Sequence, residues 1–358
     1  MDGSIGKQYL KDYLDKSDPL FEEHLQKKID EAREISKIPA ELLKRFLDTA
    51  RRGKKIRGAL VTLGYKVAGG TDEMTALQAG LVMELFHTAL LIQDDVMDQD
   101  NLRRELPALH HQFKQFGKKL TVRGDFLHYG ESMVSCVTDA IFYLSWEKLL
   151  ELNVDSKNII AAGKTYAQYA VRTAWGQALD ITTTALGEIK EKDAMAILRY
   201  KSAEYTGVLP LLAGAALAGE KDEKKLRAIK DYGLAFGWAF QIQDDILGMF
   251  GDEEKVGKPV GSDLREGKNT LLMLHLAQKG TPEQRAFQRK VLGNKNITKD
   301  DVLKMRQILR DARSYQHVVD LGWKYVDEGK KQIPLITADK KLQAILESLI
   351  VYMMERVK

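Results

Sequence analysis

The sequence contains little cysteine, little proline and no long apolar run, and each absence excludes a class of protein. The single cysteine among its 358 residues, Cys136, cannot form a disulfide within the chain, which is typical of a reducing compartment. Only seven prolines occur, and no Ser/Pro-rich linker divides the chain. The longest apolar run, Gly207–Gly219, is well short of the roughly 18 residues that a membrane span needs. The opening residues lack the apolar block of a secretory signal, so we expect a cytoplasmic protein with no membrane span.

The sequence also has no strong excess of either charge. Lysine and arginine number 55 against 51 aspartates and glutamates, and the net charge of +4 (55 − 51) is spread over both halves of the chain. This balance does not indicate a nucleic-acid partner. Several common catalytic patterns are missing too, since we find no nucleophilic triad and no CxxC, HExxH or GxxxxGKS/T motif.

Helical periodicity is what the sequence has in abundance. Before the first acidic segment, apolar residues recur at spacings of four, four, four and three: Leu77, Leu81, Leu85, Ala89 and Ile92. Alternating strand patterns are scarce. Before the second acidic segment, small residues predict close helix packing: Gly233, Ala235, Gly237 and Ala239. We therefore predict an all-α protein with about ten or more helices.

Two short segments nearly repeat each other and place paired carboxylates after an apolar run. They are "LLIQDDVMD" (Leu90–Asp98) and "FQIQDDILG" (Phe240–Gly248). On a helix Asp94 and Asp98 share one face, where like charges at this spacing are unfavourable. A Mg²⁺ ion would resolve the conflict, because it takes oxygen ligands and usually binds one or two carboxylates plus substrate phosphates. The alternative is a solvated acidic helix end.

Cations follow both acidic segments. Arg103 and Arg104 come directly after the first, and an arginine fork matches phosphate oxygens. The second is followed by a glycine-containing loop, Gly251–Lys268, with Lys258 and Lys268. Carboxylates for a metal beside cations for phosphate indicate a metal–diphosphate site, against the alternatives of an ion-paired or mobile surface loop. Such a loop is also able to close over a substrate and exclude water.

Weaker signals lie elsewhere in the chain. Lys54 and Arg57 fall in the basic segment "RRGKKIRG" and share a face if helical, although a solvated basic face has the same pattern. His87 lies among apolar residues before Asp94, so the alternative is a histidine that is simply part of the core. Lys201 lies four residues before Tyr205. None of these positions identifies a function alone.

Taken in order from about Arg51 to Thr270, these segments resemble the trans-isoprenyl diphosphate synthase family. Eight segments carry the resemblance: "GKKIRG", "ELFHTALLIQDDVMD", "LRRELP", the Gly124-Asp125 dipeptide, "GQALD", "YKS", "FQIQDDILG" and "GKPVGSDLREGKNT". Each is weak alone, but eight in the right order are very specific. The chain departs from the family pattern at Gly248, where many members have aspartate, and also at Ser202, Gln93, Leu106 and Arg52. None of these departures removes an essential residue.

The resemblance implies an all-α, single-domain helical bundle over residues 1–358, with a central cavity and usually a homodimer. The two acidic motifs would face each other across the mouth of the cavity. Magnesium, usually three ions, would bind Asp94, Asp98 and Asp244. The surrounding metal and phosphate shells would be supported by Asp95, Asp245 and Lys268. An allylic diphosphate would be held by Arg103, Lys201 and Lys258, and isopentenyl diphosphate by Lys54, Arg57, His87 and Arg104. Gln241 and Ser202 would lie near the reacting carbons.

Product length would be set on the helix that ends in Asp94. Ala89 and Leu90 lie five and four residues before this aspartate, and Phe86 lies eight before it. Because alanine leaves room and Phe86 would then stop the chain deeper, we predict a twenty-carbon product, geranylgeranyl diphosphate. Farnesyl or longer polyprenyl products are the alternatives.

Three other functions fit parts of the pattern. A terpene cyclase shares the first acidic motif, but its second motif is usually of an Asn/Ser/Glu type. A non-catalytic subunit of a heteromeric synthase would tolerate loss of one acidic cluster, whereas both are intact here. A metal-binding helical scaffold without chemistry leaves the diphosphate-binding cations unexplained.

Overall fold

The computed structural model describes residues 2–104, 106–186, 190–251 and 261–357. The prediction of an all-α protein is confirmed. The first group of helices is α1 (Ser4–Ile35), α2 (Lys37–Ala50), α3 (Ile56–Val67), α4 (Glu73–Met97), α5 (Leu109–Lys119), α6 (Phe126–Leu150) and α7 (Ser156–Leu186). A nearly continuous helix follows as α8 (Glu191–Ile197), a π-helical segment π1 (Leu198–Val208) and α9 (Leu209–Leu217).

The remaining helices are α10 (Glu223–Phe250), α11 (Ser262–Glu266), α12 (Leu271–Lys279), α13 (Pro282–Val291), α14 (Lys299–Asp311), α15 (Ser314–Ile336) and α16 (Lys340–Glu355). Strands β1 (Leu102–Arg103) and β2 (Leu106–Pro107) pair antiparallel after α4, with Leu102 opposite Pro107 and Arg103 opposite Leu106. This small ladder holds the two arginines that follow the first acidic segment.

The chain divides into two compact units. Unit 1 comprises Met1–Lys7, Lys164–Leu212 and Lys221–Lys358, and unit 2 comprises Gln8–Gly163 and Ala213–Glu220. The single polyprenyl synthase domain expected from the resemblance stays a prediction, and each unit is described by itself below.

Unit 2 is organised around α4, which packs against α3 and α6. The helix begins where the Asp72 side chain accepts a hydrogen bond from the Met74 N–H, as Asp does at an N-cap. Its periodic apolar residues are all buried, which confirms the predicted helix face: Leu77, Leu81, Leu85, Ala89 and Ile92. By length and composition α4 passes the test for a membrane span, but 83% of its apolar window is buried inside the fold. A core helix explains that composition.

Unit 1 is organised around α10, which packs against π1, α15 and α16. The small residues before the second acidic segment allow the backbones to approach closely, as predicted. A Cβ atom on Gly233 would lie 2.9 Å from the Gly207 carbonyl oxygen, which is too close for a real side chain. The acidic end of α10 is therefore built on a tightly packed pair of helices.

Candidate active site

The first acidic segment forms the last turn of α4. The Asp98 N–H donates a 2.8 Å hydrogen bond to the Asp94 carbonyl oxygen, so both residues belong to one helical turn, as the spacing predicted. Asp94 and Asp98 are half-buried, whereas Asp95 is completely buried. The segment thus has two partly exposed carboxylates beside one that is shielded from water.

Asp95 is held by Arg103 of β1. The Arg103 Nε donates to Asp95 Oδ1 at 2.5 Å, and its Nη2 also contacts Asp100 at 3.1 Å. Burial raises the pKa of Asp95 to about 6, and it outweighs the opposite effect of the guanidinium. Asp95 Oδ2 has no hydrogen-bond partner within the described part of the chain. Arg103, which was predicted to bind phosphate, therefore contacts Asp95, the carboxylate that was predicted to support the metal.

A basic cluster forms beside this segment in unit 2. Arg57 Nη1 lies 3.0 Å from His87 Nε2, and burial and the neighbouring arginines, Arg57 foremost, hold the pKa of His87 well below its usual value. A neutral His87 accepts the hydrogen bond from Arg57. Arg104 is close enough to Arg57 for their positive charges to repel each other. Its Nη1 donates a hydrogen bond to the Thr49 carbonyl oxygen at 3.1 Å. Three of the four predicted isopentenyl diphosphate ligands are thus brought together, while Lys54 is exposed.

Sequence reasoning missed two buried residues near this cluster. Glu84 is buried one turn before His87, and its carboxylate accepts a 2.7 Å hydrogen bond from the Gly58 N–H, which anchors the start of α3. Lys55 is also buried rather than solvated. Its ammonium lies 2.5 Å from Asp18 and 4.2 Å from the ring centroid of Phe21. The apolar spacing of α4 signalled that position 84 is internal, but no local signal distinguished Lys55 from its basic neighbours.

The second acidic segment forms the end of α10 in unit 1. Asp245 is buried, and burial raises its pKa to about 8. Gln241 Nε2 donates to Asp245 Oδ1 at 2.9 Å, whereas Asp245 Oδ2 has no hydrogen-bond partner among the described residues. Gln241, predicted to lie near the reacting carbons, is therefore fixed by the second carboxylate of the pair.

Asp244 pairs with an arginine that sequence reasoning did not identify. Arg356, which follows α16, contacts Asp244 at 2.6 Å although its own side chain is only 3% exposed. The guanidinium also donates to the Phe240 carbonyl oxygen at 2.7 Å and lies 4.2 Å from the Phe240 ring centroid. The basic ending "MMERVK" was the available signal, but nothing local connects it to α10. Arg356 therefore supplies positive charge at Asp244.

The "YKS" segment lies on π1, and such segments often occur at functional sites. Lys201 Nζ forms a 2.6 Å ion pair with Asp180 of α7, the aspartate of "GQALD". Gly176 of the same motif has no room for a side chain, because a Cβ there would lie 2.5 Å from the Lys201 backbone nitrogen. Ser202 is half-buried beside the lysine. These contacts join two motifs that the sequence left as separate weak signals.

A buried glutamate further along π1 was also missed. Glu204 is 1% exposed and accepts hydrogen bonds from Arg172 at 2.9 Å and Arg199 at 2.8 Å. Two guanidinium groups compensate its burial. The network ties π1 to α7 near Lys201, although the sequence offered no spacing that would have paired these residues.

The remaining predicted residues have different outcomes. Lys258 lies outside the described residues. Lys268 is described, and its ammonium lies 3.0 Å from Glu266. Phe86 is nearly buried, and its ring centroid lies 5.3 Å from that of Phe142 on α6. Ala89 is fully buried in the core cluster of unit 2, and Leu90 is half-buried.

The donor groups present suit a hard divalent cation. Among the described residues, no three carboxylate, histidine or cysteine side chains form a ready-made metal cage. Magnesium seldom needs one, because it usually keeps several waters and binds through one or two carboxylates plus substrate phosphates. Within the described ranges the buried oxygens Asp95 Oδ2 and Asp245 Oδ2 lack hydrogen-bond donors, and the other predicted ligands are carboxylates as well. The residues therefore fit Mg²⁺ completed by a phosphate-bearing substrate.

Comparison with known proteins agrees with this chemistry. Residues 40–309 match the polyprenyl synthetase family. A geranylgeranyl diphosphate synthase of Sulfolobus acidocaldarius is 33% identical over 274 residues, covering 76% of this chain and 77% of that protein. One of Saccharolobus solfataricus is 30% identical over 302 residues, covering 82% and 85%.

A solved structure extends the likeness to the fold. It is the crystal structure of a geranylgeranyl pyrophosphate synthase from Corynebacterium glutamicum, complexed with isoprenyl diphosphate and magnesium. It superposes with a TM-score of 0.87 at 26% identity, covering 96% of this chain and 99% of that one. The chain therefore belongs to the polyprenyl synthetase family and is a prenyltransferase.

Proposed function

We propose that this chain, acting as one polyprenyl synthase domain, condenses isopentenyl diphosphate with an allylic diphosphate and releases geranylgeranyl diphosphate. One observation carries the proposal: each Ile-Gln-Asp-Asp helix end has a buried carboxylate and, beside it, an arginine within 2.6 Å of an aspartate. This arrangement suits a metal-bound diphosphate. The names of the two geranylgeranyl diphosphate synthases described above support the twenty-carbon product.

The two acidic segments hold the head of the allylic substrate. Asp94, Asp98 and Asp244 would hold three Mg²⁺ ions, and Asp95 and Asp245 would support them. When bound, the magnesium neutralises the negative charge that develops on the leaving diphosphate. The substrate oxygens also contact the cations Arg103, Lys201, Lys258 and Lys268. Asp95 and Asp180 hold Arg103 and Lys201 in place, so little reorganisation is needed during the reaction.

The basic cluster of unit 2 holds the second substrate. Lys54, Arg57, His87 and Arg104 bind isopentenyl diphosphate, and Arg57 is oriented by its hydrogen bond to the neutral His87. The allylic carbon–oxygen bond breaks, and the isopentenyl double bond forms the new carbon–carbon bond. Gln241 and Ser202 lie at these carbons, and the apolar helices exclude water that would quench the cation. The departing diphosphate takes the proton, so no dedicated base is required.

A direct assay tests this function. Purified chain with Mg²⁺, isopentenyl diphosphate and farnesyl diphosphate is expected to release inorganic diphosphate and a twenty-carbon product in equal amounts, measured by a phosphate-coupled assay and mass spectrometry. Chelation with EDTA should stop both. Release of a cyclised hydrocarbon would favour a terpene cyclase instead. No diphosphate release from the isolated chain would favour a non-catalytic subunit.

The lone cysteine and the balanced charge support a cytoplasmic site of action without a nucleic-acid partner. Cys136 is exposed and free, as is common in a reducing compartment. The diphosphate head group of each substrate is charged and interacts well with water. Fractionation of cells that express the chain would contradict this placement if the protein sedimented with membranes.

We also propose a homodimer, and it predicts the effect of one surface substitution. Exposed apolar side chains follow one face of α6, where Tyr143 and Leu150 are 76% and 67% exposed, and one face of α7, where Val171 and Trp175 are 51% and 69% exposed. Such stripes on soluble proteins often mark interfaces. Trp175→Glu is therefore expected to convert a dimer to a monomer in sedimentation velocity at micromolar concentration.

Ile35→Glu is the matched control, because Ile35 is 81% exposed at the end of α1. This variant should keep the mass of the unchanged protein. A monomeric unchanged protein would contradict the homodimer. A Trp175→Glu variant that remains dimeric would contradict the assignment of the exposed face of α7 to the dimer interface.

A further inference from the structure

The π-helical segment π1 is longer than such segments usually are. It spans eleven residues, Leu198–Val208, whereas π-helices mostly occur as single wide turns inside α-helices. The Leu209 N–H donates to the Glu204 carbonyl oxygen five residues earlier, which is the hydrogen-bond pattern of a π-helix. Lys201, a proposed diphosphate ligand, lies inside this segment. An uncommon backbone conformation persists only where the surrounding structure holds it.

An ion pair within π1 depends on that conformation. Arg199 Nε donates to Glu204 Oε1 at 2.8 Å, and the two residues are five positions apart (204 − 199). In an α-helix, residues five apart lie about 140° apart around the axis, and only residues three or four apart are neighbours. The wider turn of a π-helix brings residues five apart together. The pair of Arg199 and Glu204 therefore stabilises the π form relative to the α form.

A second arginine holds the same carboxylate from α7. Arg172 Nη1 donates to Glu204 Oε2 at 2.9 Å, so each carboxylate oxygen has its own guanidinium. The Glu204 side chain is 1% exposed, whereas those of Arg172 and Arg199 are 35% and 42% exposed. A buried carboxylate that loses a partner is strongly destabilising. Tightening of π1 to an α-helix would separate Glu204 from Arg199 and is disfavoured for that reason.

The backbone of π1 has little room to adjust on either side. A Cβ atom on Gly176 of α7 would lie 2.5 Å from the Lys201 backbone nitrogen, and one on Gly237 of α10 would overlap the Ala203 carbonyl oxygen. The Lys201 ammonium lies 2.6 Å from Asp180 of α7. A change from the π form to the α form would therefore alter the direction of the Lys201 side chain, because the backbone between α7 and α10 cannot shift to compensate.

We infer that Glu204 and Arg199, together with Arg172, are positioning residues that keep π1 in its π-helical form and so direct Lys201 at the diphosphate of the allylic substrate. They act through Lys201 and not on the substrate. This inference rests on the proposed function, because the group that they place is one of its diphosphate ligands.

Binding of an unreactive allylic analogue tests the inference apart from turnover. Farnesyl thiolodiphosphate is titrated into the full chain with Mg²⁺ and followed by isothermal calorimetry. Arg199→Ala is expected to raise the Kd at least about 10-fold, as loss of one well-placed hydrogen bond to a charged group does. The KM for isopentenyl diphosphate should stay the same. Arg33→Ala is the matched control and should bind normally, because Arg33 makes an exposed ion pair with Asp30.

Exchange of two neighbouring residues separates helical form from charge compensation. Arg199→Tyr combined with Tyr200→Arg keeps the composition but places the arginine four residues before Glu204, a spacing that suits an α-helix. We expect this double variant to bind the analogue no better than Arg199→Ala does. Normal binding would show that Glu204 needs only a nearby positive charge, and it would overturn the inference.

Glu204→Leu separates positioning from stability. Replacing a buried ionic group by an apolar one of similar volume is often neutral or stabilising, and both arginines are exposed enough to reach water. The midpoint of thermal unfolding should therefore be kept while the Kd of the analogue rises at least about 10-fold. A role in stability alone predicts normal binding wherever the midpoint is kept. If this variant fails to fold, the two Arg199 variants still decide the question.

Lys201→Ala distinguishes this inference from the proposed function. If it weakens analogue binding but Arg199→Ala and Glu204→Leu bind as the unchanged protein does, the inference is overturned and the function stands. If Lys201→Ala itself binds normally, Lys201 does not hold the diphosphate and the inference is overturned as well. If the unchanged protein binds the analogue but condenses nothing, the proposed function fails, and the Arg199 and Glu204 variants decide the inference by binding alone.

Discussion

Asp94→Asn is expected to lower kcat about 10²- to 10³-fold, the usual cost of removing one group that stabilises developing charge. The substitution keeps the shape of the side chain and removes one negative charge. Asp94 lies in the last turn of α4, where the helix dipole and Asp98 four residues later disfavour a carboxylate. The midpoint of thermal unfolding without metal should therefore stay the same or rise. Activity should therefore fall without a loss of stability.

Asp244→Asn should lower activity by a similar factor but should also lower the unfolding midpoint. The reason is Arg356, whose guanidinium is 3% exposed and would lose its carboxylate partner. Asp30→Asn on α1 is the control for both variants, since Asp30 makes an exposed pair with Arg33 that contributes little. Steady-state kinetics and differential scanning fluorimetry make the comparison. Full activity of Asp94→Asn would remove the first acidic segment from the mechanism.

Phe86→Ala is expected to shift the product from twenty carbons to longer chains. Phe86 lies two turns before Asp94, and its ring packs against Phe142 of α6. Removing the ring opens space at the depth where we place the end of the growing product. The same change leaves a void, and burial of this size predicts a loss of about 3–5 kcal/mol of unfolding free energy. Chromatography of the dephosphorylated products measures the chain-length distribution.

A second phenylalanine controls for the loss of stability. Phe46 on α2 is completely buried in the core cluster of unit 2. Phe46→Ala should destabilise the protein to a similar degree without changing the product. An unchanged product distribution in Phe86→Ala would show that another helix determines chain length. A longer product from both variants would attribute the shift to general loosening of the core.

The helices and the chemistry of the site were predictable from local patterns. Apolar residues that recur every three to four positions share one face of a helix, so the buried face of α4 followed from Leu81, Leu85 and Ile92. The same periodicity placed Asp94 and Asp98 on one turn. Small residues at Gly233 and Gly237 predicted the close packing of α10. These inferences succeed because each depends on residues within a few turns of one another.

Contacts between distant segments were not predictable in this way. Arg356 reaches the end of α10 across 116 residues, Lys55 is buried against Asp18 although its basic neighbours are exposed, and Glu204 is buried against Arg172 of α7. The sequence by itself determined the helices and the types of residue available for a metal–diphosphate site. Only the tertiary structure decided which charges meet, because ion pairing and burial depend on how separate helices and loops pack, and spacing along the chain carries no record of that packing.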